Sequence, residues 1–306
     1  MKPIPYELSQ INSRVTHDPQ AFIAECEDVF AQQILSVGEQ ISTKGSGNLI
    51  VALAGPSSAG KTTTANMLAG FFRTHRTGAC VLSLDNFFRQ PDQAPLLPNG
   101  ERDYESPDAL DLEGLEACLL ALLREGSCEI PLFTFGGEDC GKKTKRLWVN
   151  QDDVIIIEGL HALNPTVTAH LPKDRLSRVY ISVHHGIERE GELFLSPREI
   201  RLLRRLARDA KHRNSSASNT LKMWPQVVAG EDQYLAPYKP LSEIQLYSLH
   251  GYEVGMIKAQ VLELLANVPP GDPHVAVAAI LMQKLQAFCL LGMDLLPKRS
   301  LLREFM

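Results

Sequence analysis

The stretch GPSSAGKT, residues 55–62, constrains the fold more than any other part of this sequence. It follows an apolar run that predicts a buried parallel strand over 48–54, and it precedes a helical pattern over 61–76. Glycines let the backbone curl until its N–H groups surround an anion, and the helix N-terminus adds partial positive charge. The order of strand, glycine-bearing turn and helix therefore predicts a P-loop in an α/β fold.

Further short apolar runs predict that the same sheet continues along the chain. These runs are CVLSLD (80–85), EIPLFTF (129–135), DVIIIEG (153–159) and RVYISV (178–183). A second helical pattern covers 107–124, with Ser106 as its expected N-cap and Pro107 in its first turn. Strands that alternate with helices indicate a parallel sheet flanked by helices.

The remaining segments predict how the chain is organised around that sheet. Apolar residues at helical spacing predict a helix over 18–42, and a helix is also expected to start at Asp272-Pro273. The polar, proline-rich residues 86–106 predict a long loop of the kind that is often functional. The expected divisions are an N-terminal helical extension (1–46), a central domain (47–250, with a lid at about 196–232) and C-terminal helices (251–306).

Charge and cysteine usage narrow the functional classes. The net charge of −5 over 306 residues argues against a protein that coats nucleic acid. The six cysteines form no C-x-x-C pair, so we expect reduced thiols rather than disulfides or a zinc site. No signal-peptide pattern or membrane-length apolar run is visible, which favours a cytoplasmic protein with no membrane partner. The aliphatic stretch 275–291 leaves a homo-oligomer open, although a buried core helix is the default interpretation.

The P-loop motif assigns roles to individual residues. Lys61 is expected to reach the β- and γ-phosphates of a nucleoside triphosphate, and the Thr62 hydroxyl is expected to bind Mg²⁺. The predicted nucleotide-binding residues of the loop are Gly55, Ser57, Ser58, Ala59, Gly60, Lys61, Thr62 and Thr63. The motif by itself does not distinguish a switch, a motor or a kinase.

Two carboxylates favour a kinase. No guanine-reading N-K-x-D occurs in the sequence, which argues against a GTPase switch. Asp85 and Glu158 each end a predicted strand, and the carboxyl ends of parallel strands face the ligand crevice. A carboxylate at Asp85 would accept the proton of an acceptor hydroxyl, and Mg²⁺ would explain a carboxylate at Glu158 after four apolar residues. The alternatives are a turn cap at Asp85 and a solvent-reaching strand end at Glu158.

A basic helical pattern over 198–213 supplies the third part of a kinase site. One face carries Arg201, Arg205, Arg208 and His212, and the roughly opposite face carries Leu202, Leu206 and Ala210. A solvated basic helix or a nucleic-acid stripe is the alternative interpretation. One basic face in a net acidic chain favours a local polyanion, and arginine forks match triphosphate geometry. We therefore expect a lid that closes over ATP and excludes water.

Taken together, these segments resemble the uridine kinase/phosphoribulokinase family of P-loop kinases. The matching segments, in the order of that family, are AGPSSAGKTT, SLDNFF, DYESPDALDLEGL, IPLFTF, VIIIEGLHALNP and LLRRLARD. The tail is similar to one bacterial uridine kinase-like branch, through the W-P-x-V-x-x-G-E segment at 224–231, the pair Pro237-Tyr238 and the ending SLLREFM. The resemblance therefore reaches nearly the whole chain.

The resemblance implies a fold and a set of roles. The fold would be a P-loop NTPase-type sheet of five parallel strands flanked by helices, with an arginine-rich helical lid, and the phosphate donor would be ATP with Mg²⁺. Asp85 would be the catalytic base, and Thr62, Asp85 and Glu158 would be the metal-binding residues. Lys61 would be the phosphate lysine. The lid arginines would be Arg205, Arg208 and Arg213, with Arg205 also facing the acceptor.

The acceptor pocket departs from the family pattern. Glu105 stands where those kinases carry a sugar-binding aspartate, Phe133 replaces a tyrosine, and Glu138 replaces a base-reading histidine; Phe135 belongs to the same segment. A site that lacks its polar partners usually binds that substrate poorly. A nucleoside such as uridine or cytidine is the favoured small-molecule acceptor. Another alcohol (a sugar phosphate, pantothenate or glycerate type) and a non-catalytic ATP-binding regulatory protein are the alternatives.

Two aromatic residues near these motifs have open roles. His161 follows Glu158-Gly-Leu, where it either borders the site or is a loop histidine satisfied by the backbone. Trp224 would either stack on a base or pack beneath the lid, and packing is favoured.

Overall fold

The structure is a computed structural model that describes residues 5–44, 47–75, 78–133 and 143–306. Among these residues the strands are β1 (Tyr6–Glu7), β2 (Leu49–Ala54), β3 (Ala79–Ser83), β4 (Ser127–Pro131), β5 (Thr144–Trp148), β6 (Val154–Glu158), β7 (Leu176–Ser182), β8 (Ile187–Arg189), β9 (Glu192–Leu195) and β10 (Ile244–Tyr247). The α-helices are α1 (Leu8–His17), α2 (Pro19–Ser42), α3 (Lys61–His75), α4 (Leu112–Glu125), α5 (Pro165–Thr168), α6 (Pro197–Arg213), α7 (Ala217–Gly230), α8 (Glu253–Ala266) and α9 (Val275–Gln286).

Five parallel strands form the central sheet, in the order β10-β7-β2-β6-β3. Every residue of β2 and β6 is buried, because helices cover both faces of the sheet. The predicted α/β fold with a five-stranded parallel sheet is confirmed.

One predicted sheet strand was wrong. The described part of the apolar run at 129–135, residues 129–133, does not join the central sheet; β4 pairs antiparallel with β5 in a separate hairpin. The fifth central strand is β10, which lies at the sheet edge beside β7. β10 is only four residues long, with exposed Gln245 between buried Ile244 and Leu246. A pattern this short does not predict a strand from the sequence.

Two hydrophobic cores lie on the two faces of the sheet. One core joins α1, α2, α3, α6, α8, α9 and the segment Ser300–Met306. The other joins α4, α5 and the β4–β5 hairpin. The first core ties both ends of the described chain to the P-loop helix α3.

Polar caps set where the helices begin. Asp18 accepts the Ala21 N–H and starts α2, as the predicted helix over 18–42 requires. The helix predicted over 107–124 is wrong at its start. Ser106 caps a short 3₁₀ turn, and the side chain of Asp111 caps α4 instead.

The expectation that all cysteines are reduced was wrong for one pair. Cys118 in α4 and Cys128 in β4 are joined in a disulfide, with their Cα atoms 5.4 Å apart. Gly126 adopts the left-handed conformation (φ 73°) and turns the chain sharply, so β4 runs back along α4. The ten-residue separation gave no C-x-x-C signal. The other cysteines of the described residues (Cys26, Cys80 and Cys289) are free.

The segments outside the predicted central domain pack closely onto it and onto each other. The Asn12 side chain donates to the Ala287 carbonyl (2.7 Å) and accepts the Cys289 N–H (2.8 Å). A Cβ added at Gly38 of α2 would lie 2.4 Å from the ring of Phe71, so α2 crosses α3 at close range. The division at residues 46 and 250 stays a prediction. Within the described ranges, none of the helices has the length and apolar content needed to cross a membrane.

Candidate active site

The site lies where three neighbouring strands of the sheet end. β2 runs directly into the P-loop, and its Leu53 pairs in register with Glu158 at the end of β6. Ser83 at the end of β3 pairs with the same Glu158, and Asp85 follows two residues later. The parallel register therefore brings the loop and both predicted carboxylates to one edge of the sheet, as their strand-end positions in the sequence predict.

Glycine and strained backbone shape the P-loop. A Cβ at Gly55 would stand 2.3 Å from the Ile181 carbonyl oxygen, so only glycine fits between β2 and β7 there. Gly60 has φ +89°, and Ser58 has φ 59° although it is not glycine. The Lys61 ammonium donates to the Pro56 carbonyl (3.2 Å), which holds it back across the loop.

The predicted metal ligands meet beside the loop. The Thr62 hydroxyl donates to the Glu158 carboxylate at 3.3 Å. Burial, and secondly the charge of Asp85, raise the pKa of Glu158 to about 7. A cation here would relieve both effects, and a hydroxyl with carboxylates is an oxygen donor set that suits Mg²⁺. The described part of the chain holds no group of three or more His, Cys, Asp or Glu side chains that binds a metal unaided.

The predicted lid arginines gather on a single carboxylate. Asp209 is buried and lies 3.2 Å from Arg205, 2.8 Å from Arg208 and 3.7 Å from Arg213. Burial, and secondly the charge of Arg208, lower the pKa of Arg213 to about 10, and the charge of Asp85 acts in the opposite direction. Asp209 thus holds a dense positive cluster that extends toward Asp85.

Helix α6 is docked on the P-loop. The Arg201 guanidinium donates to the Ser57 carbonyl at 3.0 Å, and Arg205 donates to the Ser57 hydroxyl at 2.8 Å. Arg204 donates to the Ser58 carbonyl (3.2 Å) and forms a fully buried pair with Glu253 of α8 (2.7 Å). The alternative interpretation of a solvated basic helix is therefore wrong for most of α6, because its own Arg201, Arg204 and Arg205 are buried; its last turn (211–213) is exposed.

A second carboxylate from the lid region reaches the loop. Glu231 accepts the Ser57 N–H at 3.0 Å, and both of its oxygens accept from Arg201, at 2.5 and 2.8 Å. Both members of this pair are nearly inaccessible to solvent. Trp224 lies against Arg201, 5.4 Å from ring centre to guanidinium carbon, and packs on the core, which supports its predicted packing role. Glu231 is the last residue of the W-P-x-V-x-x-G-E segment.

Glu105 borders the same space from the long loop. The charges of Arg205 and Lys61 both act on it, while burial raises its pKa to about 7. A Cβ at Gly230 would stand 2.3 Å from the Glu105 Cβ, so the glycine before Glu231 makes room for this side chain. The predicted acceptor residue therefore lies among the predicted phosphate-binding groups.

His161 lies beside Glu105 rather than away from the site. The Glu105 backbone and the charges of Lys61 and Asp103 act on its ring, and its buried Nδ1 has no partner among the described residues. Burial lowers the pKa of His161 to about 4, so the ring is neutral at pH 7. His161 therefore lies at the border of the candidate site, and its buried Nδ1 does not fit the interpretation of a histidine satisfied by the backbone.

Two of the predicted acceptor residues are aromatic, and Phe133 is the one that lies within the described residues. Phe133 stacks at an angle on Phe88, with ring centres 5.4 Å apart, and its N–H donates to Asn86 at 3.4 Å. The predicted acceptor residues Phe135 and Glu138 lie outside the described residues.

Sequence reasoning missed Asp209, Arg204, Glu231 and Glu304 as parts of the site. One of them had a visible signal, because Asp209 stands four residues from both Arg205 and Arg213, the spacing of helical ion pairs. The partners of Glu231 and Glu304 are 174 and 241 residues away along the chain, so local pattern could not reveal them.

A P-loop at the centre of a parallel sheet, with strand-end carboxylates and an arginine helix docked on it, defines a P-loop kinase. The chain is a phosphotransferase that acts on a hydroxyl of a small substrate. Residues 50–250 match the model of the phosphoribulokinase/uridine kinase family, and the chain belongs to that family.

Curated relatives and solved structures agree with this assignment. The chain is 30% identical to a uridine kinase of Mycoplasma genitalium over 181 residues, which covers 59% of this chain and 76% of that protein. It is 28% identical to a uridine kinase of Halobacterium salinarum over 195 residues, covering 63% and 72%. The fold matches the structure of a possible uridine kinase from Bacillus stearothermophilus with a TM-score of 0.50 and 18% identity, covering 70% of this chain and 97% of that one.

Proposed function

We propose that the protein transfers the γ-phosphate of ATP to a hydroxyl of a nucleoside, with uridine and cytidine as the favoured acceptors. One observation carries the proposal: Glu105 lies within reach of the charges of Lys61 and Arg205, both of which also contact the P-loop. A carboxylate in that position binds the hydroxyls of a sugar while the phosphate donor occupies the loop. The relatives named uridine kinase support the choice of acceptor.

The residues divide the chemistry of phosphoryl transfer. Asp85 accepts the proton of the attacking hydroxyl, and Glu105 orients the diol that carries it. Lys61, Arg205, Arg208 and Arg213 balance the charge that develops on the transferring group. The contact of α6 with Ser57 places the helix against the loop, where it would shield the bound phosphates from water.

Thr62, Glu158 and Asp85 would hold the Mg²⁺ that accompanies ATP. The ion supplies charge neutralisation for the phosphate oxygens when it is bound. It also lets the Glu158 carboxylate stay ionised next to Asp85, where burial and like charge otherwise oppose ionisation.

The test is ADP release from Mg·ATP in the presence of separate acceptors. The panel contains uridine, cytidine, purine and deoxy nucleosides, ribulose 5-phosphate, pantothenate and glycerate. We expect uridine or cytidine to stimulate ADP release most strongly, and a Glu105→Gln variant to lose that stimulation. The exposed Glu101, four residues earlier in the same loop, provides a matched Glu101→Gln control.

Other outcomes identify other functions. Stimulation by a non-nucleoside alcohol would replace the acceptor while keeping the phosphoryl-transfer assignment. ATP binding without turnover on any acceptor would contradict the proposal and favour a regulatory protein.

A further inference from the structure

A carboxylate from the far end of the described chain accepts a hydrogen bond from the first turn of α3, the helix that follows the P-loop. Glu304 Oε2 accepts the backbone N–H of Thr63 at 3.0 Å. Thr63 is the third residue of α3, so its N–H is one of the helix donors that have no intrahelical partner. In a P-loop these backbone donors cradle nucleotide phosphates.

The segment that carries Glu304 is built into the core. Leu301, Leu302 and Phe305 are fully buried. A Cβ added at Gly60 would lie only 2.6 Å from the Leu301 side chain, so Leu301 packs directly on the P-loop. Ser300 bonds the Tyr252 hydroxyl at 3.0 Å. The backbone of residues 300–306 is therefore a fixed wall of the P-loop. Glu304 itself is only partly buried, so its side chain is free to rotate away from α3.

The charge of Glu304 opposes a second anion in the same place. Glu304 is one of the groups whose negative charge raises the pKa of Glu158, so it faces the predicted metal ligands. A nucleotide phosphate at Thr63 would compete with the carboxylate for one N–H and would be repelled by it at short range. Phosphate binding there requires the Glu304 carboxylate to leave.

We propose that Glu304 sets the nucleotide affinity of this site by competing with phosphate for the Thr63 N–H. This inference rests on the proposed ATP site. It adds to that site a residue that the P-loop motif does not contain, because Glu304 lies 241 positions from Thr63. The anchored wall keeps the competing carboxylate close to the Thr63 N–H at a high local concentration.

The test compares equilibrium dissociation constants of the full chain for Mg·ATP, AMP and adenosine, measured by titration calorimetry. Glu304→Gln and Glu304→Ala should each bind ATP and AMP tighter, by about fivefold to twentyfold for loss of one close like charge. Adenosine carries no phosphate, and its affinity should stay unchanged. The matched control is Glu263→Gln, an exposed position on α8 that should leave all three affinities as they are.

The outcomes separate this inference from the proposed function. Equal or weaker ATP binding by both Glu304 variants, with normal binding by the parent chain, would overturn the competition alone. An equal gain for adenosine would also overturn it, because the effect would then not involve phosphate. If neither the parent chain nor any variant binds ATP, the ATP site and the competition both fail.

Discussion

At the scale of single residues, the site depends on carboxylates in different environments: Glu158 is buried, Glu105 and Glu304 are partly buried, and Asp85 is exposed. The charges of Asp85 and Glu304 both act on Glu158 at the end of β6, and the charges of Arg205 and Lys61 act on Glu105. Glu158 accepts from a hydroxyl and Glu304 from a backbone N–H, whereas Glu105 is under the influence of cationic side chains. The environment, not the residue type, separates their proposed roles.

Asp85→Asn should lower kcat by about 10²- to 10⁴-fold, the usual contribution of a general base. The dissociation constant for ATP measured without Mg²⁺ should stay within about threefold of the parent value, because Asp85 would reach ATP only through the metal and the phosphate cradle itself is untouched. Steady-state kinetics with the best acceptor and a separate binding titration measure the two effects. Asp92→Asn, an exposed position in the same loop, is the control. A loss of ATP binding equal to the loss of turnover would contradict a role as base.

The value of kcat/KM for the acceptor should fall as the pH drops below about 7. Burial raises the pKa of Glu105 to about 7, so the carboxylate is ionised above that pH and protonated below it. A protonated Glu105 no longer accepts two hydroxyl donors, and the acceptor binds less well. A profile of kcat/KM for the acceptor against pH, from about 5.5 to 9 on the parent chain, measures this fall. A profile that is flat down to pH 5.5 would show that Glu105 does not need to ionise.

At the scale of elements, α6 contacts both the P-loop and α8, and so connects them. Its arginines bond Ser57 and Ser58 on one side and Glu253 on the other. Because these pairs are buried, each arginine needs its carboxylate, and a lost partner leaves an uncompensated charge. The docked position of α6 is thus set by charge pairing as well as by its leucines.

Asp209→Asn should lower kcat/KM for ATP by about tenfold or more, because three guanidinium groups lose the carboxylate that positions them. The exposed pair of Arg198 and Asp232 offers a matched control. Asp232→Asn removes the same charge from the same region and should change the constant by less than about twofold. Equal effects of the two variants would mean that Asp209 does not organise the cluster.

Gly38→Ala should lower the free energy of unfolding by about 1–3 kcal/mol, since its methyl group would overlap the Phe71 ring where α2 crosses α3. Gly70→Ala, on α3, is the natural comparison. A Cβ there meets nothing within 4 Å, so the substitution should stabilise the protein by about 0.5–1 kcal/mol. Urea unfolding of the two variants measures both signs. A free energy of unfolding for Gly38→Ala that is equal to or higher than that of the parent chain would contradict the close crossing of α2 and α3.

At the scale of the whole molecule, the site is assembled from segments that lie far apart in the sequence. Asp85, Glu158 and the P-loop were predictable because each ends a strand, and strand ends meet at one sheet edge. Glu231 and Glu304 were not predictable, because their contacts with Ser57 and Thr63 depend on the path of the entire chain. The same holds for β10, whose place at the sheet edge comes from pairing with β7 rather than from its own pattern.

The chain should unfold in one cooperative transition, and Mg·ATP should raise the temperature of that transition. One hydrophobic core includes α1, α2, α3, α8, α9 and residues 300–306, so these parts cannot melt separately without exposing it. At a ligand concentration of about 100 times Kd the stabilisation should be about 2.7 kcal/mol. Differential scanning calorimetry with and without ligand measures it. Two separate transitions would instead support independent units on either side of residue 46 or 250.

The late position of β10 and of Ser300–Met306 in the chain has a consequence for biosynthesis. While the ribosome is still translating residues 183–243, β7 presents an unpaired sheet edge, and such edges are prone to aggregate. The Thr63 N–H likewise has no carboxylate until Glu304 has been synthesised. The nascent chain therefore passes through a stage with a nearly complete sheet and an uncovered phosphate loop. During that stage a free nucleotide would occupy the loop, and Glu304 would take over its contact with Thr63 once residues 300–306 have packed against α3.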